Sequence, residues 1–410
     1  MRHLVIAVRI AAVRLGFAFG SLLPLQRRVV LATSHSSTLG GNLAFIDEEL
    51  RRRHPAIRIV VIAHRPARGI SGRVSALVAA LSAGYQLARA RVFVVDDYFF
   101  PIYVVDKRPD TTIAQTWHAS GAFKKIGYSV LDKSFGADEL LTSRVAIHSN
   151  YDICLVASQS AAPHYAEAFR QPLSRFVSRL GIPRTDVLFG DRVPQIKEAI
   201  RRRYAIPEGR KVILYAPTFR GDSVINARTP EDLDLRTLQQ GLGQDHIILL
   251  RLHPFVRERT RIGADLQGFA IDVSDYPDIN ELMLVSDLLV TDYSSAIYEY
   301  SLLGRPMIFF APDHEAYERE RGFYFDYRTG VPGPVFETTQ QVVDYIRAGE
   351  FDADRVRAFA LASFDVADGR SSSRFVDEVV VPGLAGRPFL PAETREGDLA
   401  GRSEAGTALH

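Results

Sequence analysis

DLLVTDYSSAIYEYSLLGRPMIFFAP, residues 287–312, reads as a strand, a helix and a second strand. Apolar runs form its two ends, and the middle segment begins with Ser294 and Ser295 and stops at Gly304. Strands that are apolar along their whole length and joined by a helix are typical of a parallel sheet covered on both faces. This stretch therefore predicts a doubly wound α/β fold.

The same alternation recurs in two sets of segments, one on each side of Pro194. Before Pro194, the predicted strands are residues 29–33, 57–63, 91–96, 111–116 and 152–158, with helices at 75–90 and 160–170. After it, the predicted strands are residues 211–218, 246–254, 269–273, 287–292 and 306–312. Ligands of such sheets bind at the carboxyl ends of the strands, so two halves in tandem predict a ligand cleft between them.

The domain boundaries follow from these two sets. The first half is expected to cover residues 27–194 and the second half residues 195–378, with the charged stretch 195–211 at the junction. Residues 379–410 are rich in Gly, Pro, Ala and charged residues, and we expect a disordered tail there.

Composition narrows the classes of function. The net charge of +2 over 410 residues does not indicate a nucleic-acid binder, so any anion site must be local. The single cysteine, Cys154, excludes an internal disulfide and a multi-cysteine zinc site. These features fit a cytosolic protein.

Residues 1–26 are apolar but carry Arg9 and Arg14 within the apolar run. A spanning helix needs about 20 apolar residues with few charges, and the uncharged part here is shorter. A helix that lies in the membrane interface, with its arginines near anionic headgroups, suits the mixture better. A buried N-terminal helix and a single span are the alternatives.

Polar residues gather where the predicted strands end. Thr291 and Asp292 end one strand, and Ser294 and Ser295 open the helix that follows. A helix N-terminus with serine hydroxyls can bind a phosphate without a glycine-rich loop. An ordinary Asp or Ser N-cap is the alternative. The chain contains no P-loop and no dinucleotide-binding fingerprint.

Three arginines, Arg220, Arg251 and Arg321, lie in or beside these polar segments. Guanidinium groups suit a pyrophosphate, to which they give bidentate charge-assisted bonds. Because the sequence has no acidic cluster with metal-ligand spacing, we expect these cations, and no metal or other cofactor, to neutralise the phosphate charge.

Two histidines, His118 and His253, each end a strand, and each half supplies one of them. In the cleft they would face a substrate from two sides. A neutral imidazole can take a proton from an alcohol, and an imidazolium can stabilise or protonate a leaving phosphate. The chain has no H-E-x-x-H motif that would indicate a zinc site instead.

Six blocks of the sequence resemble, in order, the CDP-glycerol glycerophosphotransferase family, which includes teichoic acid primases and polymerases. They are QTWHASGAFKKIG (115–127), GIPRTDVL (181–188), YAPTFRGD (215–222), RLHP (251–254), VTDYSSAIYEYSLLGRPMIFF (290–310) and RGFYFDY (321–327). The segment 32–50 also resembles the family's opening strand, its glycine-rich loop and the Asn that begins a helix. Members commonly read WHGTxxKK and GYPRND, where this chain has WHASGAFKK and GIPRTD.

The resemblance implies a GT-B fold, in which two Rossmann-like domains face a central cleft. It implies transfer of a polyol phosphate, glycerol phosphate in the first place, from a CDP-activated donor to a hydroxyl of an acceptor, with release of CMP. The acceptor would be an undecaprenyl-linked glycan or polymer of teichoic acid or capsule type. The enzyme would then be peripheral, at the cytoplasmic face of the cell membrane.

The resemblance also implies roles for individual residues. His118 would be the general base on the acceptor hydroxyl, and His253 would lie near the donor pyrophosphate. The residues expected to bind the CDP donor are Arg220, Arg251, Thr291, Asp292, Ser294, Ser295, Glu299 and Arg321. The residues expected to bind the acceptor are Asn42, Lys124 and Lys125.

Three alternatives remain open from the sequence. A ribitolphosphotransferase would use CDP-ribitol in place of CDP-glycerol. A nucleotide-sugar glycosyltransferase of GT-B fold would share the architecture but release a different nucleotide. A membrane-peripheral protein that binds an anionic glycopolymer would use the cleft without turnover.

Overall fold

Each half of the chain contains one parallel β-sheet. The computed structural model describes residues 2–34, 36–64, 69–131, 133, 139–221, 226–230, 232–256, 262–387 and 389. Within these residues the first sheet has the strand order β2-β1-β3-β4-β5-β6 and the second has the order β12-β11-β10-β7-β8-β9. The first consists of β1 (Gln26–Thr33), β2 (Arg58–Ala63), β3 (Ala90–Val95), β4 (Thr112–Gln115), β5 (Ile153–Leu155) and β6 (Phe176–Val177). The second consists of β7 (Lys211–Tyr215), β8 (His246–Leu250), β9 (Ala270–Asp272), β10 (Leu288–Thr291), β11 (Met307–Phe310) and β12 (Val335–Phe336).

Helices cover both faces of the two sheets. In the first half they are α1 (Arg2–Ser21), α2 (Gly41–Arg53), α3 (Gly69–Arg89), α4 (Glu139–Thr142) and α5 (Ala162–Phe169), and α6 (Val193–Arg203) lies at the junction of the halves. Later in the chain come α7 (Leu235–Leu242), α8 (Ile279–Val285), α9 (Ala296–Ser301), α10 (His314–Arg321), α11 (Tyr327–Gly330), α12 (Thr339–Ala348) and α13 (Ala353–Ser363). The last described helices are α14 (Ser371–Phe375), a π-helical turn (Val376–Val380) and α15 (Val381–Leu384).

Strand β1 shows how the sheets are buried on both sides. Val29 and Leu31 belong to one hydrophobic core, whereas Val30 and Ala32 belong to another. Successive side chains of a strand point to opposite faces, so both faces of the first sheet are covered. The predicted doubly wound α/β fold is therefore confirmed.

The strand order places a switch point in each sheet. In the second sheet the chain moves from β7 to β8 and β9 on one side, and then returns to place β10, β11 and β12 on the other. The crevice of a doubly wound sheet opens where the order reverses. The loops after β7 and β10, which carry Arg220 and Asp292, leave the sheet at this switch point.

The predicted strands are all present, but β6 and β12 were missed. Each of these two strands has two residues, too few to form an apolar run that a sequence pattern can reveal.

The C-terminal helices return to the first half, which corrects the predicted domain boundary at residue 378. The backbone N–H of Asp365 donates to the carbonyl of Ala157 at 2.9 Å, and Arg53 pairs with Asp377 at 2.9 Å. A Cβ on Gly383 of α15 would lie 2.8 Å from Val92 Cγ2. Helix α15 therefore packs on the first sheet, and α14 packs on α2 of the same half, because their apolar side chains complete the core there.

The predicted disordered tail, residues 379–410, is wrong over its first part. Residues 379–384 are helical, and Val379, Val380 and Leu384 are buried in a hydrophobic core. The valines of VDEVVV (376–381) supply this face, although the composition of the whole segment is polar. Residue 388 and residues 390–410 lie outside the described part of the chain.

Helix α1 packs lengthwise on α3 through glycines. A Cβ on Gly16 would lie 2.0 Å from the carbonyl oxygen of Leu81, and one on Gly84 would lie 2.1 Å from that of Val13. By length and composition alone, His3–Ser21 could cross a membrane. Its arginines contact the first half, with Arg9 over the ring of Phe100 and Arg14 donating to the carbonyl of Val104.

Candidate active site

The turn that carries His118 is held by several side chains. Trp117 has a left-handed backbone, with φ of 53°, which is uncommon for a bulky residue. The backbone N–H of Trp117 donates to Gln115 Oε1 at 2.8 Å. Asn42 Nδ2 donates to the carbonyls of Thr116 and Trp117 at 3.0 and 2.9 Å. Because these bonds hold a strained backbone in place, His118 leaves the end of β4 in a defined direction.

His118 is oriented through its Nδ1 atom. That atom lies 3.3 Å from the carbonyl oxygen of Asp96 and 3.8 Å from Asp97 Oδ1, and the side chain is 49% exposed. Both neighbours accept hydrogen bonds, so the neutral ring carries its proton on Nδ1. The lone pair of the ring then lies on Nε2, where an acceptor hydroxyl would have to donate its proton.

His253 follows β8 and has the opposite tautomer. Its Nδ1 accepts the backbone N–H of Phe255 at 3.2 Å, so the proton of the neutral ring lies on Nε2. The ring contacts Phe219 and Phe255, with centroid distances of 4.8 and 4.7 Å. Nε2–H is therefore a hydrogen-bond donor.

The charge environment of His253 includes both halves of the chain. Burial is the main reason that the pKa of His253 falls to about 3, and the positive charges of Lys124, Arg251 and His118 lower this pKa further. His118 and Lys124 belong to the first half. We use "the cleft" for the space between the halves that His118, Lys124, His253 and Tyr317 border.

Three cations meet at the ring of Tyr317, on α10. The guanidinium carbons of Arg220 and Arg321 lie 5.2 and 5.7 Å from the ring centroid, and Lys124 Nζ lies 5.8 Å from it. Lys124 comes from the first half, and the two arginines come from the second. An electron-rich ring face tolerates cations close together, which leaves this side of the cleft positively charged.

Arg220 is held by two carboxylates. Its guanidinium donates to Asp292 at 2.8 Å and to Asp313 at 2.6 Å. Burial opposes the charge of Arg220, but the two carboxylates outweigh it and raise the pKa of Arg220 above its ordinary value. The side chain therefore stays cationic and fixed in direction.

Thr291 and Asp292 have structural contacts at the end of β10. Thr291 is buried, and its hydroxyl donates to the carbonyl of Ala216 at 2.7 Å. Asp292 Oδ1 accepts from the N–H and hydroxyl of Thr218 at 2.8 and 2.9 Å, and Oδ2 accepts from Arg220. Asp292 therefore orients Arg220, and Thr291 fixes the end of β10 against the loop after β7.

Ser294 and Ser295 stand before α9, and both are half-buried. The Ser294 hydroxyl accepts the N–H of Ala296 at 3.2 Å, whereas Ser295, the N-cap residue of α9, makes no side-chain capping bond. Helix α9 covers six residues and is shorter than the predicted one. Residues 302–304 continue as a tighter turn, in which each backbone N–H donates to the carbonyl three residues earlier. The turn ends at Gly304, whose φ is 62°.

Three residues that the resemblance assigned to ligands have other partners. Asn42 is buried, and its side-chain amide bonds to backbone groups. Nδ2 donates to the two carbonyls named above, and Oδ1 accepts the backbone N–H of Arg184 at 3.0 Å. Arg251 is buried and donates to the carbonyls of Leu252 and Ser274 at 3.1 and 2.8 Å. Glu299 is fully buried and pairs with Arg184.

The two consecutive lysines differ in position. The Lys124 backbone pairs with Phe323 in an isolated β-bridge, and the N–H of Lys125 donates to the carbonyl of Gly322 at 3.1 Å. These bonds join the two halves beside the cleft. Lys124 is half-buried against Tyr317, whereas Lys125 is exposed.

Sequence reasoning missed Arg184, Asp313 and Tyr317. Arg184 lies within the quoted GIPRTDVL block, which was the available signal for it. Asp313 and Tyr317 lie outside all six blocks, and nothing local marks them as site residues. Within the described residues, no group of three or more His, Cys, Asp or Glu side chains could hold a metal ion.

Comparison with known proteins gives a family match over most of the chain. A family model described as CDP-Glycerol:Poly(glycerophosphate) glycerophosphotransferase matches residues 17–381. The teichoic acid ribitol-phosphate primase of Bacillus spizizenii is 39% identical over 361 residues, which cover 87% of this chain and 92% of that protein. The teichoic acid poly(glycerol phosphate) polymerase of Bacillus subtilis is 33% identical over 347 residues, which cover 81% of this chain and 45% of that protein.

A solved structure of the wall teichoic acid polymerase TagF has the same architecture. It superimposes with a TM-score of 0.73 at 24% sequence identity, covering 90% of this chain and 93% of that chain. At this identity the likeness shows the fold alone. It confirms the GT-B type arrangement of two Rossmann-like domains that face a central cleft.

Proposed function

We propose, because this chain belongs to the CDP-glycerol:poly(glycerophosphate) glycerophosphotransferase family, that it transfers a polyol phosphate from a CDP-activated donor to a hydroxyl of a teichoic acid acceptor. One observation carries this proposal. Lys124, which follows His118 in the same loop of the first half, meets Arg220 and Arg321 of the second half at Tyr317. The ring of Phe219 contacts both Arg321 and His253, at 5.6 and 4.8 Å, so the imidazole of the second half lies beside the same cations. A base on one side and phosphate-binding groups on the other are what this reaction requires.

The chemical step uses His118 as the base. His118 Nε2 removes the proton of the acceptor hydroxyl while that oxygen attacks the β-phosphorus of the CDP-polyol. The bond from this phosphorus to the bridging oxygen breaks, and CMP leaves with that oxygen. The product is a phosphodiester between the polyol and the acceptor, and the imidazolium of His118 then returns its proton to solvent.

His253 would act as a neutral hydrogen-bond donor in this step. Because burial lowers its pKa to about 3, the ring of His253 is neutral near pH 7. Its Nε2–H can donate to an oxygen of the pyrophosphate as negative charge develops on the leaving CMP. This refines the expectation that an imidazolium protonates the leaving phosphate.

Arg220, Arg321 and Lys124 would bind the pyrophosphate. For Lys124 this replaces the expected role in acceptor binding, because its amine lies at Tyr317 beside the two arginines. Arg220 is fixed by its two carboxylates, and Arg321 Nη2 donates to the carbonyl of Gly221 at 3.1 Å. Cations held in this way stabilise charge in the transition state without having to reorganise. Ser294 and Ser295 lie in the same part of the second half and would add hydroxyl donors.

Glycerol phosphate was the first expectation for the transferred group, and ribitol phosphate is a second candidate that one observation favours. The relative matched over 92% of its own length, at 39% identity, carries the name ribitol-phosphate primase. The glycerol-phosphate polymerase matches at 33% identity and over 45% of its length. We therefore propose that CDP-ribitol is tested alongside CDP-glycerol as a donor.

A membrane surface would bring the enzyme to a lipid-linked acceptor such as an undecaprenyl-linked glycan. Helices α1 and α3 present exposed apolar side chains side by side. They are Leu4, Val5, Val8, Leu15 and Phe19 on α1 and Val74, Leu77, Val78 and Leu81 on α3. We call these nine residues the apolar face. Since α1 is packed on α3, we propose that this face lies on the cytoplasmic surface of the membrane and that α1 does not cross it.

The experiment incubates the protein separately with CDP-glycerol, CDP-ribitol and a UDP-sugar, each with a lipid-linked acceptor. We expect CMP and a phosphodiester product from one or both CDP-polyols. Release of UDP or UMP, with none from the CDP-polyols, would favour a glycosyltransferase. Binding of an anionic glycopolymer with no nucleotide release from any donor would favour a binding protein.

A further inference from the structure

Arg184 joins the two halves beneath His118. It lies in the 3₁₀ turn Pro183–Leu188 of the first half, and its Nε donates to Glu299 Oε1 of α9 at 2.8 Å. Nη2 donates to the same oxygen. Nη1 donates to the carbonyl oxygen of His118 at 2.8 Å, so one guanidinium contacts both the second half and the backbone of the base.

Glu299 also contacts the His118 loop directly. The hydroxyl of Ser120, two residues after His118, donates to Glu299 Oε1. Ser120 and Glu299 are both fully buried. Oε2 of Glu299 is buried without a hydrogen-bond partner among the described residues. The bonds from Arg184 and Ser120 all go to Oε1.

The backbone around His118 makes close contacts with both halves, in addition to those of Arg184 and Glu299. A Cβ on Gly121 would lie 2.1 Å from Tyr298 Cε1, so the loop rests directly on the residue before Glu299. On the other side, Asn42 accepts the N–H of Arg184 and donates to the carbonyls of Thr116 and Trp117. The strained turn at Trp117 is thus fixed from the first half through Asn42 and from the second half through Glu299.

We propose that Arg184 and Glu299 form a positioning pair, which holds the His118 loop against α9 so that the base faces the cleft. The proposal rests on the proposed function, in which His118 is the base. It replaces the expected role of Glu299 in donor binding, because a fully buried carboxylate that accepts from an arginine and a serine is not open to a donor. Arg184 and Glu299 act through His118 and do not touch the substrate.

Arg184→Lys is the informative substitution. An ammonium can keep the charge pair with Glu299, but it lacks the planar fork that also reaches the carbonyl of His118. Arg192→Lys is the matched control, since Arg192 lies eight positions further along and makes an exposed pair with Glu48 that contributes little. Glu299→Gln is a second variant, which keeps an acceptor oxygen but removes the charge.

The experiment compares these variants in three measurements: thermal unfolding, calorimetric affinity for the CDP-polyol, and kcat for CMP release. Displacement of a catalytic group by about 1 Å costs on the order of 10²-fold in rate. We therefore expect Arg184→Lys to lower kcat by about 10- to 100-fold, up to the loss that a displacement of this size causes. The donor Kd should stay within about twofold, well below the tenfold change that 1.4 kcal/mol gives. Wild-type kcat in a folded Arg184→Lys variant, or a donor Kd that weakens in parallel with the loss of kcat, would overturn the proposal.

Hydrogen exchange of the peptide covering residues 115–123 supplies a readout that does not need activity. We expect faster exchange there in Arg184→Lys and Glu299→Gln than in the wild type or Arg192→Lys. Unchanged exchange in both variants would overturn the proposal. If the wild type releases no CMP while the exchange differs as expected, the proposed function fails and the positioning pair stands.

Discussion

Lys124 Nζ of the first half lies 3.3 Å from the phenol oxygen of Tyr317 in the second half, and the same amine lies above the Tyr317 ring. Arg220 and Arg321 approach that ring from the second half. One cation of the proposed pyrophosphate site is therefore supplied by the first half, and we expect donor binding to be coupled to the approach of the two halves.

Lys124→Gln should weaken donor binding and turnover. The substitution removes a charge from a half-buried position, where screening by salt is weaker than at the surface. A charge-assisted bond contributes about 1.5–3 kcal/mol, so we expect kcat/KM for the donor to fall about 10- to 100-fold. Steady-state kinetics with varied donor measures this.

Lys125→Gln provides the contrast, because Lys125 is exposed. We expect an effect on the KM for a polyanionic acceptor, and we expect salt to abolish it, since exposed charges act over no more than about 8 Å at physiological ionic strength. Equal losses of donor kcat/KM in both variants would contradict the assignment of Lys124 to the donor site.

Gly121→Ala should disturb the contact between the halves. The added methyl would lie 2.1–2.5 Å from three atoms of the Tyr298 ring. Overpacking of this kind costs about 1–3 kcal/mol, and we expect a lower Tm together with reduced turnover. Gly190→Ala is the control, because its Cβ would lie no closer than 3.8 Å to the nearest atom. A Gly121→Ala variant with wild-type Tm and kcat would show that the halves do not meet here in solution.

Buried His148 should make the fold sensitive to acid. The ring is fully buried and stacks on Phe169 at a centroid distance of 3.8 Å. Burial lowers the pKa of His148 from 6.5 to about 3. Between these values the unfolded chain binds more protons than the folded chain, so stability is present above pH 6.5 and is lost as the pH falls.

His148→Phe tests this sign. From pH 7 to pH 5, linkage predicts that His148 contributes about 2 kcal/mol of lost unfolding free energy. Chemical denaturation measures the unfolding free energy at each pH. His148→Phe should lack this loss between pH 7 and pH 5, whatever its stability at pH 7. His253 contributes equally to both slopes and cancels. Parallel slopes for the two proteins would contradict the buried, neutral state of His148.

The apolar face on α1 and α3 should bind anionic vesicles. Phe19 is 57% exposed and Val78 is 63% exposed. Phe19→Glu and Val78→Glu each place a charge in the contact, and we expect at least tenfold weaker binding in vesicle sedimentation. Leu361→Glu is the matched control, since Leu361 is 80% exposed on α13 in the second half. Equal effects of all three substitutions would exclude a specific membrane-facing surface.

The sheets could be predicted because their strands are long apolar runs. Strand β8, for example, is the continuous sequence HIILL. The two-residue strands β6 and β12 have no such signal, because their pairing depends on neighbouring strands that lie far away in sequence. The return of α14 and α15 to the first half could not be predicted for the same reason: an apolar helix face does not specify which half of the chain it will cover.

The positions of the candidate site residues were predictable where those residues follow strands. His118, His253 and Arg220 end or follow strands that open at the cleft, and the structure brings them to it. Asp292 and Asn42 also lie in these segments, but their side chains bond to Arg220 and to backbone groups instead. Sequence position gives the location of a side chain, whereas its direction depends on tertiary contacts such as the pair of Arg184 and Glu299.

The most direct test of the account measures single-turnover CMP release from the preferred CDP-polyol with a lipid-linked acceptor, in the wild type, His118→Ala and His253→Ala. General acid–base catalysis contributes about 10²–10⁴-fold, and we expect losses of at least this size in both folded variants. His118→Ala should still bind the donor, because the base contacts the acceptor. A near wild-type rate of CMP release from either variant would contradict the central claim that these two imidazoles perform the transfer from opposite sides of the cleft.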